Sequence, residues 1–281
     1  MTYSEAAGDN AIGWRPQFVR EIRETAEADG LLRAVHDLLL RDNVTLSASG
    51  HVEPVREHQG GLLFAGNHDK QFEFVALMDF LGQIGRTSMK NIVKFYVEKQ
   101  IGWGLGQVGT DMVLPVYPRL LAKDRKNKLN LELGSRVVFH GSLKTAAESE
   151  LLNKATLQAA ADELAEGGVV NIFPCGSITN SMVKPWRAGL GSIMKRLPEA
   201  SQEDVLVVPY HANSINRARL FAAVAVRGRG ILGRPQNITL EFGEPQSVAK
   251  IMATVPQADQ GNAAAITDAV RQLYVSSLVE D

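Results

Sequence analysis

A single cysteine, Cys175, occurs in 281 residues, so no internal disulfide can form and no cysteine-based zinc or iron–sulfur site can be assembled. A reducing compartment suits such a chain. Net charge is nearly absent as well, at −1, whereas proteins that grip the nucleic-acid backbone carry a strong basic excess. Nucleic acid is therefore not an expected partner. No stretch approaches the roughly 18 uninterrupted apolar residues of a membrane span. The opening MTYSEAAGDN has neither a basic n-region nor an apolar h-region. The expectation is a cytoplasmic protein, free or resting on a membrane surface, with no metal and no bound cofactor.

What is present is ordinary globular material, 45% hydrophobic and 22% charged, enough for one large core. A single domain over residues 1–281 is expected. From about residue 60 onward, short β-branched runs alternate with helical patterns, which predicts an α/β fold with a mainly parallel central sheet flanked by helices. Strands are expected at Gly61–Ala65, Ile92–Tyr96, Val113–Val116, Val169–Phe173, Val205–Pro209 and Ile238–Phe242. Helices are expected at 70–81, 152–166, 187–197 and 263–278. Ahead of them, residues 16–41 place apolar groups at helical spacing with a break at Gly30, an N-terminal amphipathic segment that can cap the core or lie on a bilayer. More chain separates Arg119 from Phe173 than one crossover needs, and 123–150 reads as an insertion.

The segment GLLFAGNHDKQFEFVALMDFLG sets Asn67 and His68 between an apolar strand and an amphipathic helix, and in α/β sheets such strand ends are where sites form. Asp69 can cap that helix, and Glu73 in its first turn complements the helix dipole, which is a purely structural account of both acids. A histidine and a glutamate five positions apart stand about 140° apart on an ideal helix. His68 and Glu73 can therefore meet only if His68 precedes the helix. His51, His58, His140 and His211 are assigned mainly structural roles.

Asn67-His68 followed by Glu73 resembles the NHxxxxD block of PlsC-type glycerolipid acyltransferases, with Glu for the usual Asp. GTDMVLPVYPR, ending at Arg119, is similar to the family's second block. IFPCGSIT at 172–179 is similar to the third, usually FPEGTRS, and VVPYHAN at 207–213 to the fourth. KPWRAGL and ITLEFGEP also look like the family's connecting segments, and the resemblance spans residues 60–250. It implies transfer of a fatty acyl group from acyl-CoA or acyl carrier protein as co-substrate to a lipid-type or small-molecule acceptor. His68 would be the general base and Glu73 its orienting carboxylate. Substrate contacts would come from Asn67, Arg119, Cys175, Gly176, Ser177 and Pro209. The third block has Cys175 where Glu is usual and Ile178 where Arg is usual, which argues against lysophosphatidate and for another hydroxyl or amine acceptor.

Between Gly85 and Lys128 nine lysines and arginines face three acids. Such a region attracts coenzyme A phosphates, an acidic carrier protein or an anionic bilayer, and equally suits a solvated face. Gly104, Gly106 and Gly109 match the dinucleotide fingerprint, but the apolar, proline-containing MVLPVYP follows where a helix should open. Two other classes compete with the transferase: a thioesterase or two-step transferase with Cys175 as nucleophile, and a non-catalytic binder of lipid or carrier.

Overall fold

The computed structural model describes residues 16–37, 44–66, 73–94, 113–116, 146–175, 185–213 and 236–278. Among the described residues eight strands form one sheet: β1 (Val44–Gly50), β2 (Gly61–Gly66), β3 (Lys90–Lys94), β4 (Val113–Val116), β5 (Val169–Ile172), β6 (Val205–Asn213), β7 (Gln236–Phe242) and β8 (Gln246–Ser247). Their spatial order is β1-β7-β6-β2-β5-β3-β4, with β8 beside β6. Pairing is parallel except where β6 meets β7 and β8. The α/β expectation therefore holds. β2, GLLFAG, is buried along its whole length, as a strand covered on both faces must be, and this explains its unbroken apolar run.

The helices are α1 (Pro16–Asp29), α2 (Leu31–Val35), α3 (Val52–Glu57), α4 (Glu73–Gln83), α5 (Ala146–Ala165), α6 (Gly189–Met194), α7 (Val248–Thr254) and α8 (Ala263–Leu278). One face of the sheet, with Leu62, Phe64, Val208 and Tyr210, packs against Leu77 and Leu81 of α4, and against Leu32 and Ala34 of the α2 segment. The other face, with Leu63, Ala65, Val170 and Val207, packs against α5, α6, α7 and α8 through Leu164, Ile193, Ile251 and Val270.

This division of helices fixes where a site can form. The chain leaves β2 through α4 on one face and runs toward β3; it leaves β5 through α6 on the other face and runs toward β6. Connections from the adjacent strands β2 and β5 thus depart to opposite faces, and the carboxyl ends of strands so arranged are the usual ligand position in open α/β sheets.

Several boundaries differ from the sequence expectation. The sheet begins at Val44 rather than near residue 60, because β1 (VTLSASG), which among the described strands pairs only with β7 at the edge of the sheet, lacks a dense aliphatic run. β3 starts at Lys90, two residues before Ile92, and Phe95 and Tyr96 lie outside the described residues. β6 continues past Pro209 to Asn213, where its far end pairs with β7. α5 starts at Ala146, so the last residues assigned to an insertion open a core-covering helix, while 123–145 lie outside the described residues. α6 is shorter than 187–197. None of the described helices is long and apolar enough to cross a membrane.

The break at Gly30 is present, with φ 86°, a left-handed conformation glycine adopts without penalty. It lets α2 turn onto α4, where Leu32 N–H donates to the Thr87 carbonyl at 3.5 Å. His36, just beyond α2, places Nδ1 2.5 Å from Oδ1 of Asp79, and Gln83 Nε2 donates to the other Asp79 oxygen at 3.0 Å. Burial raises the Asp79 carboxyl above its ordinary pKa, although its bond to His36, the His36 charge and Gln83 act in the opposite direction.

Candidate functional site

The carboxyl ends of β6, β2, β5 and β3 lie side by side, and three of the four family-like blocks begin from them or contain them. Beneath these ends, on the α4 face, runs a line of polar side chains inside an otherwise apolar layer. Tyr210 of β6 donates its hydroxyl to Oδ1 of Asn171 on β5 at 3.0 Å. Asn171 in turn donates Nδ2 to Oδ1 of Asn91 on β3 at 3.0 Å. The network assigns the amide orientation, since a phenol donor on Oδ1 leaves Nδ2 for the next acceptor. Tyr210 and Asn171 are fully buried and Asn91 nearly so.

Tyr210 reaches β5 by crossing β2, its neighbour in the sheet. It pairs in register with Gly66, the last residue of β2. A Cβ at Gly66 would fall among Cζ, Cε1 and the hydroxyl of that ring, so glycine is what allows the crossing. Phe64, two residues earlier on the same face, meets the Tyr210 ring edge-on at 6.0 Å between centroids and 82° between planes.

Glu73 opens α4 and is fully buried, at 0% exposure. Withdrawing a carboxylate from water this completely carries a desolvation cost, and the start of a helix favours negative charge. The charge of Glu73 reaches Tyr210. Burial first, and then the negative charge of Glu73, push the phenol well above its ordinary pKa; Tyr274 adds to the rise and the bond to Asn171 opposes it. Tyr210 therefore remains a neutral hydrogen-bond donor at neutral pH.

Of the residues singled out from sequence, Glu73, Cys175 and Pro209 are described, whereas Asn67, His68, Arg119, Gly176 and Ser177 lie outside the described residues. Cys175 is a buried thiol at the turn after β5. That turn is tied to the following segment by Arg187 N–H donating to the Pro174 carbonyl at 2.9 Å. Pro209 is buried within β6; its carbonyl accepts from Gly243 N–H at 3.0 Å, and its ring approaches Gly243 on the sheet face opposite Tyr210. His211 lies between the Tyr274 hydroxyl at 3.1 Å and Asn213 Oδ1 at 2.7 Å, and His58 Nε2 lies 3.0 Å from the Asp204 carbonyl.

Sequence reasoning missed Tyr210, Asn171 and Asn91. A weak signal existed: an asparagine interrupting the buried strand VVNI is anomalous in a run that should be continuously apolar. No family profile and no curated protein sequence matches this chain.

Proposed function

We propose that the chain is an acyltransferase that moves a fatty acyl group from an acyl thioester, acyl-CoA or acyl carrier protein, to a hydroxyl or amine of a lipid-type acceptor. The observation that carries this reading is Glu73, a fully buried carboxylate at the start of the helix that follows the central strand, five residues after His68 in the chain. In this mechanism His68 takes the acceptor proton as the acceptor attacks the thioester carbonyl. The C–S bond then breaks, and the leaving thiolate receives the proton from the imidazolium. Glu73 holds the imidazole tautomer and stabilises its charged form. Gly176 and Ser177 follow β5, where main-chain N–H groups and a hydroxyl can meet the developing oxyanion. Arg119 and the basic stretch around it suit the donor's phosphates or an acidic carrier. Replacement of the usual third-block Glu and Arg by Cys175 and Ile178 favours an acceptor other than lysophosphatidate.

Single-turnover transfer from a radiolabelled acyl thioester to a panel of lipid acceptors tests the reading. His68→Ala is expected to lower turnover by about 10²–10⁴ in a folded protein. Wild-type turnover in that variant would remove His68 from the mechanism. Hydrolysis without transfer, with an acyl group captured on Cys175, would replace the reading by the cysteine one.

A further inference from the structure

On the sheet face covered by α8, Pro185 and Trp186 stand opposite Ala264, Thr267, Asp268 and Arg271, and between them lies a cleft of about 160 Å³. A cavity of about 150 Å³ holds a benzene ring, so a group the size of a small amino acid fits here. The four α8 residues share one helix face, at the i, i+3, i+4 and i+7 positions. The opposite wall is tied to the sheet, because the next residue, Arg187, donates its N–H to the Pro174 carbonyl after β5 at 2.9 Å. The Trp186 ring meets the buried Tyr274 at 5.3 Å between centroids and 65° between planes. The Tyr274 hydroxyl in turn lies 3.1 Å from His211 Nδ1 near the carboxyl end of β6. The aromatic wall is therefore in place before a ligand arrives, and binding does not bear the cost of ordering it.

The two charges of this cleft are not committed to the fold. Arg271 Nη1 stands 3.7 Å from Asp268 Oδ1, too far for a hydrogen bond, and Arg271 Nε is buried with no hydrogen-bond partner among the described residues. The side chains remain 27% and 63% exposed, Arg271 and Asp268 respectively. An exposed pair of this kind contributes little to stability, so a ligand that comes between its members gives up little. A purely anionic ligand would gain from Arg271 and be repelled by Asp268. A purely cationic one would gain from Asp268 and from the aromatic ring and be repelled by Arg271. With the two charges this close, a molecule carrying both signs is the one that satisfies both, while Pro185, Trp186 and Ala264 suit its apolar part. We propose that the cleft binds a small zwitterion, its carboxylate or phosphate on Arg271 and its ammonium between Asp268 and Trp186. A free amino-acid-like molecule and the headgroup of a zwitterionic lipid both present that chemistry. The site stands or falls independently of the acyltransferase reading, since none of its residues takes part in that mechanism.

The test follows the indole N–H signal of Trp186, assigned by Trp186→Phe, in NMR spectra of the full chain titrated with glycine betaine, phosphoethanolamine, acetate and ethylammonium. Both zwitterions should shift the signal saturably. Acetate and ethylammonium should bind at least about tenfold more weakly, the scale of one lost charge-assisted contact. Arg271→Gln and Asp268→Asn remove one charge each from the rim and are expected to fold; each should weaken both zwitterions by a similar factor. Co-sedimentation with phosphatidylglycerol vesicles, with and without phosphatidylethanolamine, separates the two sources. Retention that requires phosphatidylethanolamine and is lost in both variants assigns the lipid headgroup, whereas saturable shifts without such retention assign a free molecule; either supports the site. Acetate binding as tightly as the zwitterions, with Asp268→Asn without effect, would make the cleft an anion site and overturn the inference. The absence of a saturable shift with either zwitterion overturns it as well.

Discussion

The two ends of the sheet solve the same problem with different materials. At the amino end, Arg86 follows α4 and its guanidinium donates to three main-chain carbonyls: those of Gly167 and Gly60, each at 3.3 Å, and that of His58. Burial draws its pKa below the ordinary value, so the charge is partly withdrawn from water and satisfied by backbone. At the carboxyl end the work falls to side chains, Tyr210 to Asn171 to Asn91, with Glu73 nearby. Main-chain carbonyls accept hydrogen bonds whatever their residues' side chains are, so the amino-end knot depends on one side chain. The carboxyl-end line depends on several residue identities at once, including the absence of a side chain at Gly66. One arginine holds the amino end; the carboxyl end requires a set of side chains that match one another.

Substitutions at each end sharpen that contrast. The largest effect is expected at Gly66→Ala, where the new methyl meets a fully buried ring hemmed in by Phe64. Overpacking of this kind should cost about 3 kcal/mol by urea denaturation, and turnover should fall with it. Stability equal to wild type would mean that the ring has room to move, and the contrast would lose its carboxyl-end half. Arg86→Ala should cost about 2 kcal/mol through the carbonyls it leaves behind, with turnover per folded molecule unchanged. A loss of turnover in that folded variant would show the two ends to be linked. Smallest is Asp79→Asn. A carboxyl whose folded pKa is raised favours the folded state while it is protonated. The contribution of Asp79 is therefore fully present below the ordinary carboxylate value and declines as pH climbs through the raised one. The asparagine variant should lose that slope, and wild type should lose stability relative to it across the window. Identical pH profiles of stability would assign the slope to other groups.

Much of this architecture is written in local pattern. The runs GLLFAG and VVNI read as strands because they are covered on both faces, and α8 matches its expected bounds because Ile266, Val270 and Tyr274 recur at helical spacing on its buried side. β1 escaped because VTLSASG has small and polar residues where a central strand would have Val or Ile, and its strand character comes from pairing with β7. Glu73 was legible as a residue of interest, but its complete burial was not, since a first-turn acid is usually solvated. Of the Tyr210 line, only the asparagine in VVNI left a trace in the sequence. Its members stand on three strands, far apart in the chain, and only the strand order sets them in a row. Nothing within VVPYHAN marks the tyrosine as the residue that crosses a glycine.

The pairing of β1 with β7 also bears on the order in which the chain is made. Val44–Gly50 leaves the ribosome well before Gln236–Phe242, its partner among the described strands. The helices before it are in a similar position, because α2 packs on α4 and on the turn at Thr87. Short helices and lone strands are marginal in water on their own, so α2 and β1 emerge before the surfaces they pack against. β1 can therefore take its place in the sheet only once β7 has been made.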